Sequence, residues 1–337
     1  MKSFILGVKK KVLLLTPSIR MSNHILARCD QLEQMIKNLD YKNEYTFWLA
    51  QQISGETPLE TRKRVFAQMP KATGQLREIQ EANNLILKRI KRICDDNQIP
   101  FFLFAGTLLG AVRHRGYIPW DDDIDIGMLC SDYVRFQKAM EAEPELEVKR
   151  YYSFPNVYSV IKVKLKNCDS FFVDIFLYDY VDADFENADA SLRQFAEANA
   201  RFREGLRAIL EQYSKKNGVP TGLFASGELD RQFRLLKDNV YRSYSLLGKG
   251  SFLSESIEND PIGRFDLVPV EKCYPLEKNA LEFEGERYSS WRDIDRYLSP
   301  KYGDYWSLPR ALTPHHTAET MSNLRENLEY MKQSNLR

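Results

Sequence analysis

Four carboxylates stand within five residues, at Asp121, Asp122, Asp123 and Asp125. Like charges this close repel, so the cluster costs stability unless a cation or a basic partner neutralises it. Ile124 and Ile126 alternate with Asp123 and Asp125, the pattern of a half-buried strand over 123–129. A period of two sets Asp123 and Asp125 on one face. Paired carboxylates at a strand end make a hard-oxygen site that suits Mg2+ (or Mn2+), with substrate phosphate completing the coordination. A third acid, Asp174, interrupts the apolar run Phe171–Leu177. A charge inside such a strand is costly to bury unpaired, and it joins the same site if the two strands are neighbours. Between them Lys162, Lys164 and Lys166 alternate with apolar residues. That row is either an exposed sheet face or a contact for a polyanionic substrate.

Upstream lies the turn Phe104-Ala105-Gly106-Thr107. Gly106 lets backbone approach a phosphate closely. Thr107 adds a hydroxyl at a helix N-terminus, where free N–H groups favour anions. The turn, the Asp-x-Asp strand about sixteen residues later and the third strand acid together carry more weight than any one of them.

The elements that must position these groups follow from periodicity. A helix over 76–97 shows a buried stripe of Leu76, Ile79, Ile86, Ile90 and Ile93. A strand at 101–104, a helix from Thr107 to Arg113 closed by Gly116, and a helix over 131–141 frame the acids. Strands follow at 146–152, 159–165 and 171–180, then long helices at 188–216 and 228–247. A hairpin around Gly285 and helices near 291–298 and 321–333 end the chain. Strands cluster in 100–180 with helices around them, an α+β arrangement.

Residues 1–16 read as a basic amphipathic helix. Phe4, Val8, Val12 and Leu15 share one face, and residues 1–29 hold six Lys or Arg and no acid. Such a segment either lies on an anionic membrane surface, making residues 1–20 a peripheral contact, or packs on the protein's own core. Ile25, Cys29, Leu32, Ile36 and Leu39 repeat as in a heptad over barely two heptads, which favours an ordinary packing helix over a coiled coil. Residues 41–75 read as shorter helices and loops.

Composition excludes some classes. The 337 residues are 43% hydrophobic and 12% aromatic, enough for a sizeable core. The formal net charge of +1 argues against a nucleic-acid binder. Apolar runs such as Val12–Leu15 are far short of a membrane span. No signal-peptide pattern follows the basic start. Five scattered cysteines without a CxxC fit a reducing compartment and small buried hydrophobes.

Three residue blocks together resemble the LicD family of the nucleotidyltransferase superfamily. They are Gly106-Thr107-Leu108-Leu109-Gly110-Ala111-Val112-Arg113-His114, Ile118-Pro119-Trp120-Asp121-Asp122-Asp123-Ile124-Asp125-Ile126-Gly127, and Phe172-Val173-Asp174-Ile175-Phe176. That family includes phosphocholine transferases and fukutin-type phosphosugar transferases. The likeness covers about 76–310 and extends to Tyr302-Gly303-Asp304-Tyr305. Thr107 stands where the wider fold often has Gly or Ser.

The resemblance implies a mixed β-sheet core flanked by helices in a catalytic domain over 76–337; residues 1–75, outside the likeness, read as a helical N-terminal extension, and about 185–260 as a helical insert. It implies a metal-dependent phosphotransferase moving phosphocholine, or a phospho-alditol or phosphosugar group. The donor would be CDP-linked and the acceptor a hydroxyl of a glycan or lipid-linked glycan precursor of teichoic acid, capsule or lipopolysaccharide. Asp123, Asp125 and Asp174 would hold the metal, Asp174 alternatively taking the acceptor proton. Arg113, His114 and Arg115 would bind phosphates alongside Gly106, Thr107, Lys162 and Lys164, with Asp121 and Asp122 orienting the acids. His114 has a structural reading beside the phosphate one, and Arg113 can pair with Asp121 instead of substrate. The place implied is the bacterial cytoplasm or the inner face of the plasma membrane. Two alternatives share the fold: a nucleotidyltransferase adding NMP to a small molecule or protein, and a non-catalytic glycan-binding relative.

Overall fold

A computed structural model describes residues 19–181, 188–218, 222–244, 250–258, 268–274, 276–308 and 324–334. The amphipathic reading of 1–16 lies outside them. The chain divides into one unit of residues 1–68 with 304–312 and a second of 69–303 with 313–337. The sequence reading set the boundary at 75 and gave the first unit no C-terminal piece.

In the first unit α1 (Ile19–Gln51) runs unbroken through residues expected to form shorter pieces. Nothing between Asp40 and Gln51 breaks it, since no Gly or Pro occurs between Pro17 and Gly55. The second helix, α2 (Pro58–Ala67), starts at a capping box in which Thr57 and Glu60 satisfy each other's amides. Phe66 is fully buried between Trp48 and Trp306, at 5.7 and 6.1 Å between ring centroids. Of the heptad-like positions Cys29 is buried, but Leu32 and Leu39 are 41% and 57% exposed. Among the described residues no helix is long and apolar enough to cross a membrane.

The second unit is built on a mixed sheet. Its elements are α3 (Gly74–Asp96), β1 (Phe102–Leu103), α4 (Ala105–His114), β2 (Asp125–Leu129), α5 (Cys130–Met140), β3 (Leu146–Phe154), β4 (Tyr158–Leu165) and β5 (Phe172–Val181). After them come α6 (Ala188–Asn217), β6 (Gly222–Phe224), α7 (Gly227–Ser243), β7 (Phe252–Glu255), β8 (Val268–Pro269) and α8 (Val270–Cys273). The hairpin β9 (Glu277–Phe283) and β10 (Glu286–Ser290), α9 (Ile294–Tyr302) and α10 (Leu324–Gln333) complete it. The order is β1-β2-β5-β4-β3-β6, with β7 pairing β5 and β8. Only β2 and β5 run parallel among these pairs.

The expected α+β class and mixed sheet flanked by helices are what the chain forms. The reason is visible in burial. Ile79, Ile86, Leu87 and Ile90 of α3 are nearly inaccessible, as are Ile126 and Met128 of β2 and Val173, Ile175 and Leu177 of β5. Each such side chain contributes about 1.5–3 kcal/mol on burial. A further core cluster joins Phe195, Phe202 and Leu206 of α6 and Leu229 and Phe233 of α7 with Tyr152, Val157 and Val181.

Candidate active site

The parallel pairing of β2 and β5 is what assembles the acids. Asp125 and Asp174 are register partners on adjacent strands, and Lys162 on β4 is the partner of Asp174 on its other side. The Lys162 ammonium lies 2.9 Å from the Asp174 carboxylate. The sequence reading required β2 and β5 to be neighbours, and they are.

The strand begins later than the alternation suggested. Residues 121–123 form a loop ahead of the ladder; the Ile124 carbonyl already accepts the Asp174 N–H at 2.8 Å, and β2 starts at Asp125. This loop is held by side chains of α3 instead. Gln80 donates to the Asp121 carbonyl at 2.7 Å, and Asn83 donates to the Asp122 carbonyl at 2.9 Å. Asn83 also accepts from the Phe172 N–H at 3.0 Å, so one amide ties the acidic loop to the start of β5. Both side chains are buried. Neither was singled out from sequence, although two amides three residues apart inside an otherwise apolar helical stripe are a readable signal.

Among the described residues Asp121, Asp122 and Asp123 each offer an oxygen, all within 4.8 Å of one another. The structure thus groups Asp121 and Asp122 with Asp123 as candidate ligands, where the resemblance implies orienters behind it. Asp125 and Asp174 stand beside this group across the ladder.

The electrostatics show acids lacking sufficient counter-charge. Burial, then Asp123 and Asp122, pushes Asp121 up to about 8. Burial, then Asp123 and Asp174, holds Asp125 well above the usual carboxylate range. Asp174 is also raised by burial, with Lys162 pulling the other way. An all-oxygen donor set of clustered, destabilised carboxylates fits a hard divalent cation, which restores the charged form of each.

The Gly-rich turn sits against this cluster. A Cβ on Gly106 would lie 2.8 Å from Oδ2 of Asp121, so the α4 N-terminus and the Asp121 carboxylate approach as closely as a glycine permits. Thr107 is buried, and its hydroxyl accepts the Asp125 N–H at 2.8 Å. Its place is in the scaffold that joins α4 to β2, where the reading expected a phosphate contact. The Ala105 N–H donates to the Tyr297 hydroxyl at 3.3 Å.

The basic residues separate. Arg113 is buried, and burial lowers it to about 10, which leaves it charged at neutral pH. Burial, then Arg113, depresses His114 to about 3, so its imidazole is neutral and edge-on to Trp120 at 6.3 Å. This favours the structural reading of His114. Arg115 is exposed at the left-handed C-cap of α4, with φ of 56°. Lys164 is buried between Glu147 and Asp169, at 2.9 Å from each. Of the lysine row, Lys162 therefore meets the acids and Lys164 is engaged elsewhere. Tyr302 also borders the site; burial, then Asp125, Asp121 and Asp123, raises its phenol. It belongs to the Tyr-Gly-Asp-Tyr stretch noted in the sequence.

Residues 98–206 match the family model described as LicD/FKTN/FKRP, nucleotidyltransferase domain. That span holds β1, the Gly106 turn and all five site acids. Over that stretch the chain is similar to the LicD family. The lipopolysaccharide cholinephosphotransferase LicD of Haemophilus influenzae is 27% identical over 266 residues, covering 72% of this chain and 97% of that protein. An uncharacterised protein of Rickettsia prowazekii is 37% identical over 93 residues, 27% of this chain and 31% of its own. One from Rickettsia typhi is 44% identical over 55 residues, 16% of this chain and 18% of its own. Within the matched stretch, Asp125 and Asp174 occupy one end of the β2–β5 pair.

Proposed function

We propose that this chain is a metal-dependent phosphotransferase that moves a phosphocholine, phospho-alditol or phosphosugar group from a CDP-linked donor to a hydroxyl of a cell-surface glycan precursor. The observation that carries the proposal is the packing of Asp121, Asp122, Asp123, Asp125 and Asp174 against the Gly106 turn within the family's domain. The near full-length likeness to a lipopolysaccharide cholinephosphotransferase supports phosphocholine and lipopolysaccharide as the first pair to test.

Asp121, Asp123 and Asp125 would hold Mg2+ or Mn2+, which supplies neutralisation of the donor's diphosphate and alignment for in-line transfer. The chain's own groups do the rest. Gly106 permits backbone N–H groups at the α4 N-terminus to approach a phosphate. Arg113, charged and fixed by burial, adds a cation whose interaction with anionic oxygen is strengthened by exclusion of water. Asp174 is the carboxylate suited to receive the acceptor's proton. Burial raises its pKa toward working pH, and Lys162 opposes that shift. His114, neutral and packed on Trp120, supports the turn.

The test is turnover with CDP-choline, CDP-glycerol and CDP-ribitol on a lipopolysaccharide-type acceptor, with labelled CTP as the competing donor. Release of CMP with group transfer supports the proposal. Incorporation of NMP from CTP would replace it with nucleotidyl transfer, the reading the same fold allows.

A further inference from the structure

A cavity of about 770 Å³ opens away from the acids, between α5 and α7 over β3 and β5. Leu129, at the far end of β2 from Asp125, lines it. Four strand steps separate the two, roughly 13 Å.

Its floor is built of buried charge. The Glu258 carboxylate is fully buried and shared by two cations, Arg150 at 2.7 Å and Lys237 in direct contact. Asp179, also buried, accepts from the Tyr241 hydroxyl, which meets Ser256 at 2.9 Å. Both acids are therefore covered, while the Arg150 and Lys237 side chains keep 15% and 21% of their surface exposed. Burial pulls both cations toward neutrality, but Glu258 outweighs it and both end raised, so they stay charged. Arg150 is further fixed by Phe233, its guanidinium carbon 4.2 Å from the ring centroid.

At the rim Lys149, Arg234 and Arg242 add three cations, against Asp230 and Asp238. Asp230 already accepts the Tyr152 hydroxyl at 2.7 Å. What an entering ligand meets is mainly positive and rich in N–H donors, with apolar walls from Val134, Val148 and Leu177. Fixed cations in a concave, partly desolvated site select phosphate-type anions.

We propose that this cavity binds a phosphate or diphosphate ester through Arg150, Lys237, Arg234 and Arg242, at a site separate from the acid cluster. The inference stands on the cavity alone and does not depend on the transfer reaction proposed above.

The experiment is calorimetric titration of the full chain, dialysed free of divalent metal. The probes are inorganic pyrophosphate, glucose 6-phosphate and CMP. The proteins are the native chain, Arg234→Ala/Arg242→Ala and Asp123→Asn. Arg234 and Arg242 are exposed, so the double variant should keep its melting temperature. Binding should weaken about tenfold in the double variant, persist in Asp123→Asn, and weaken with salt. Tighter binding of glucose 6-phosphate than of CMP would assign a saccharide body to the ligand, and the reverse a nucleoside. Absence of binding at millimolar probe, or equal affinity in the native and double-variant proteins, would overturn the proposal. A chain without any transferase turnover that still binds in this pattern would keep it.

Discussion

Lys162 and Asp174 face each other across the β4–β5 ladder with ammonium and carboxylate 2.9 Å apart, both largely buried. The lysine holds part of the charge on an acid that burial works to neutralise. Lys162→Met should therefore raise the Asp174 pKa further. The acidic limb of the pH–rate profile should move to higher pH, with turnover at neutral pH falling by roughly 10²-fold if Asp174 takes the acceptor proton. An unmoved acidic limb would remove Asp174 from that role.

Asp123→Asn or Asp125→Asn should abolish turnover, by about 10²-fold or more, without unfolding the protein. Removing one of several repelling carboxylates should leave the melting temperature of the metal-free protein unchanged or raise it. The raised Asp121 and Asp125 also predict that divalent cation stabilises the fold and that chelation removes activity. Thermal melts with and without Mg2+, beside turnover in EDTA, check both points. Full activity of either variant contradicts the acid-site assignment.

Gly106→Ala tests the close approach of the turn to the acids. The new Cβ would fall 2.8 Å from Oδ2 of Asp121, the movable end of a side chain. Stability should change by less than about 1 kcal/mol, because the carboxylate can swing away. Turnover and Mg2+ affinity should both drop, since the swing displaces a ligand oxygen. A variant with native Mg2+ affinity would show that Asp121 does not share in holding the cation.

Glu284 sits between the β9–β10 hairpin and α3, with Arg77 at 2.8 Å and Lys71 at 2.9 Å. Burial raises its pKa, but Arg77 and Lys71 outweigh this and the net shift is downward. A depressed folded-state pKa means the stabilisation is full above the unfolded value of about 4.5 and fades as pH falls through the folded value. Glu284→Gln should thus cost about 1–3 kcal/mol at pH 7, with the gap to the native protein closing below pH 4.5. Urea unfolding across that range measures it, and a constant gap would deny the linkage.

Residues 1–20 carry five Lys or Arg and no acid. Their deletion should leave turnover on a soluble acceptor intact but weaken sedimentation with anionic vesicles, most clearly at low salt. Equal sedimentation of both proteins would mean the segment serves the fold instead.

Much of the site was legible because its chemistry is local. Four carboxylates in five residues cannot be an ordinary surface, and a lone acid in an apolar strand needs a partner wherever it lands. Which acids share one cation was less legible. Alternation puts Asp123 and Asp125 on one strand face, but Gln80 and Asn83 hold the Asp121 and Asp122 carbonyls in a loop ahead of the ladder. The strand opens at Asp125, and Asp123 groups with Asp121 and Asp122. Thr107 shows the same limit. Its type and place suggested a phosphate contact, while burial gave its hydroxyl to the Asp125 N–H.

The sequence by itself determined the α+β class, the main helices and strands of 76–180 and the clustering of the acids, because periodicity, punctuation and charge clustering act over a few residues. Only the tertiary structure decided that β5 runs parallel beside β2, which brings Asp174 from forty-nine residues away into register with Asp125. Only it decided that Lys162, and not Lys164, meets that acid. Strand order and the choice of ion-pair partner depend on which buried charges find counter-charge at least desolvation cost, and that comparison exists only once the sheet is closed around them.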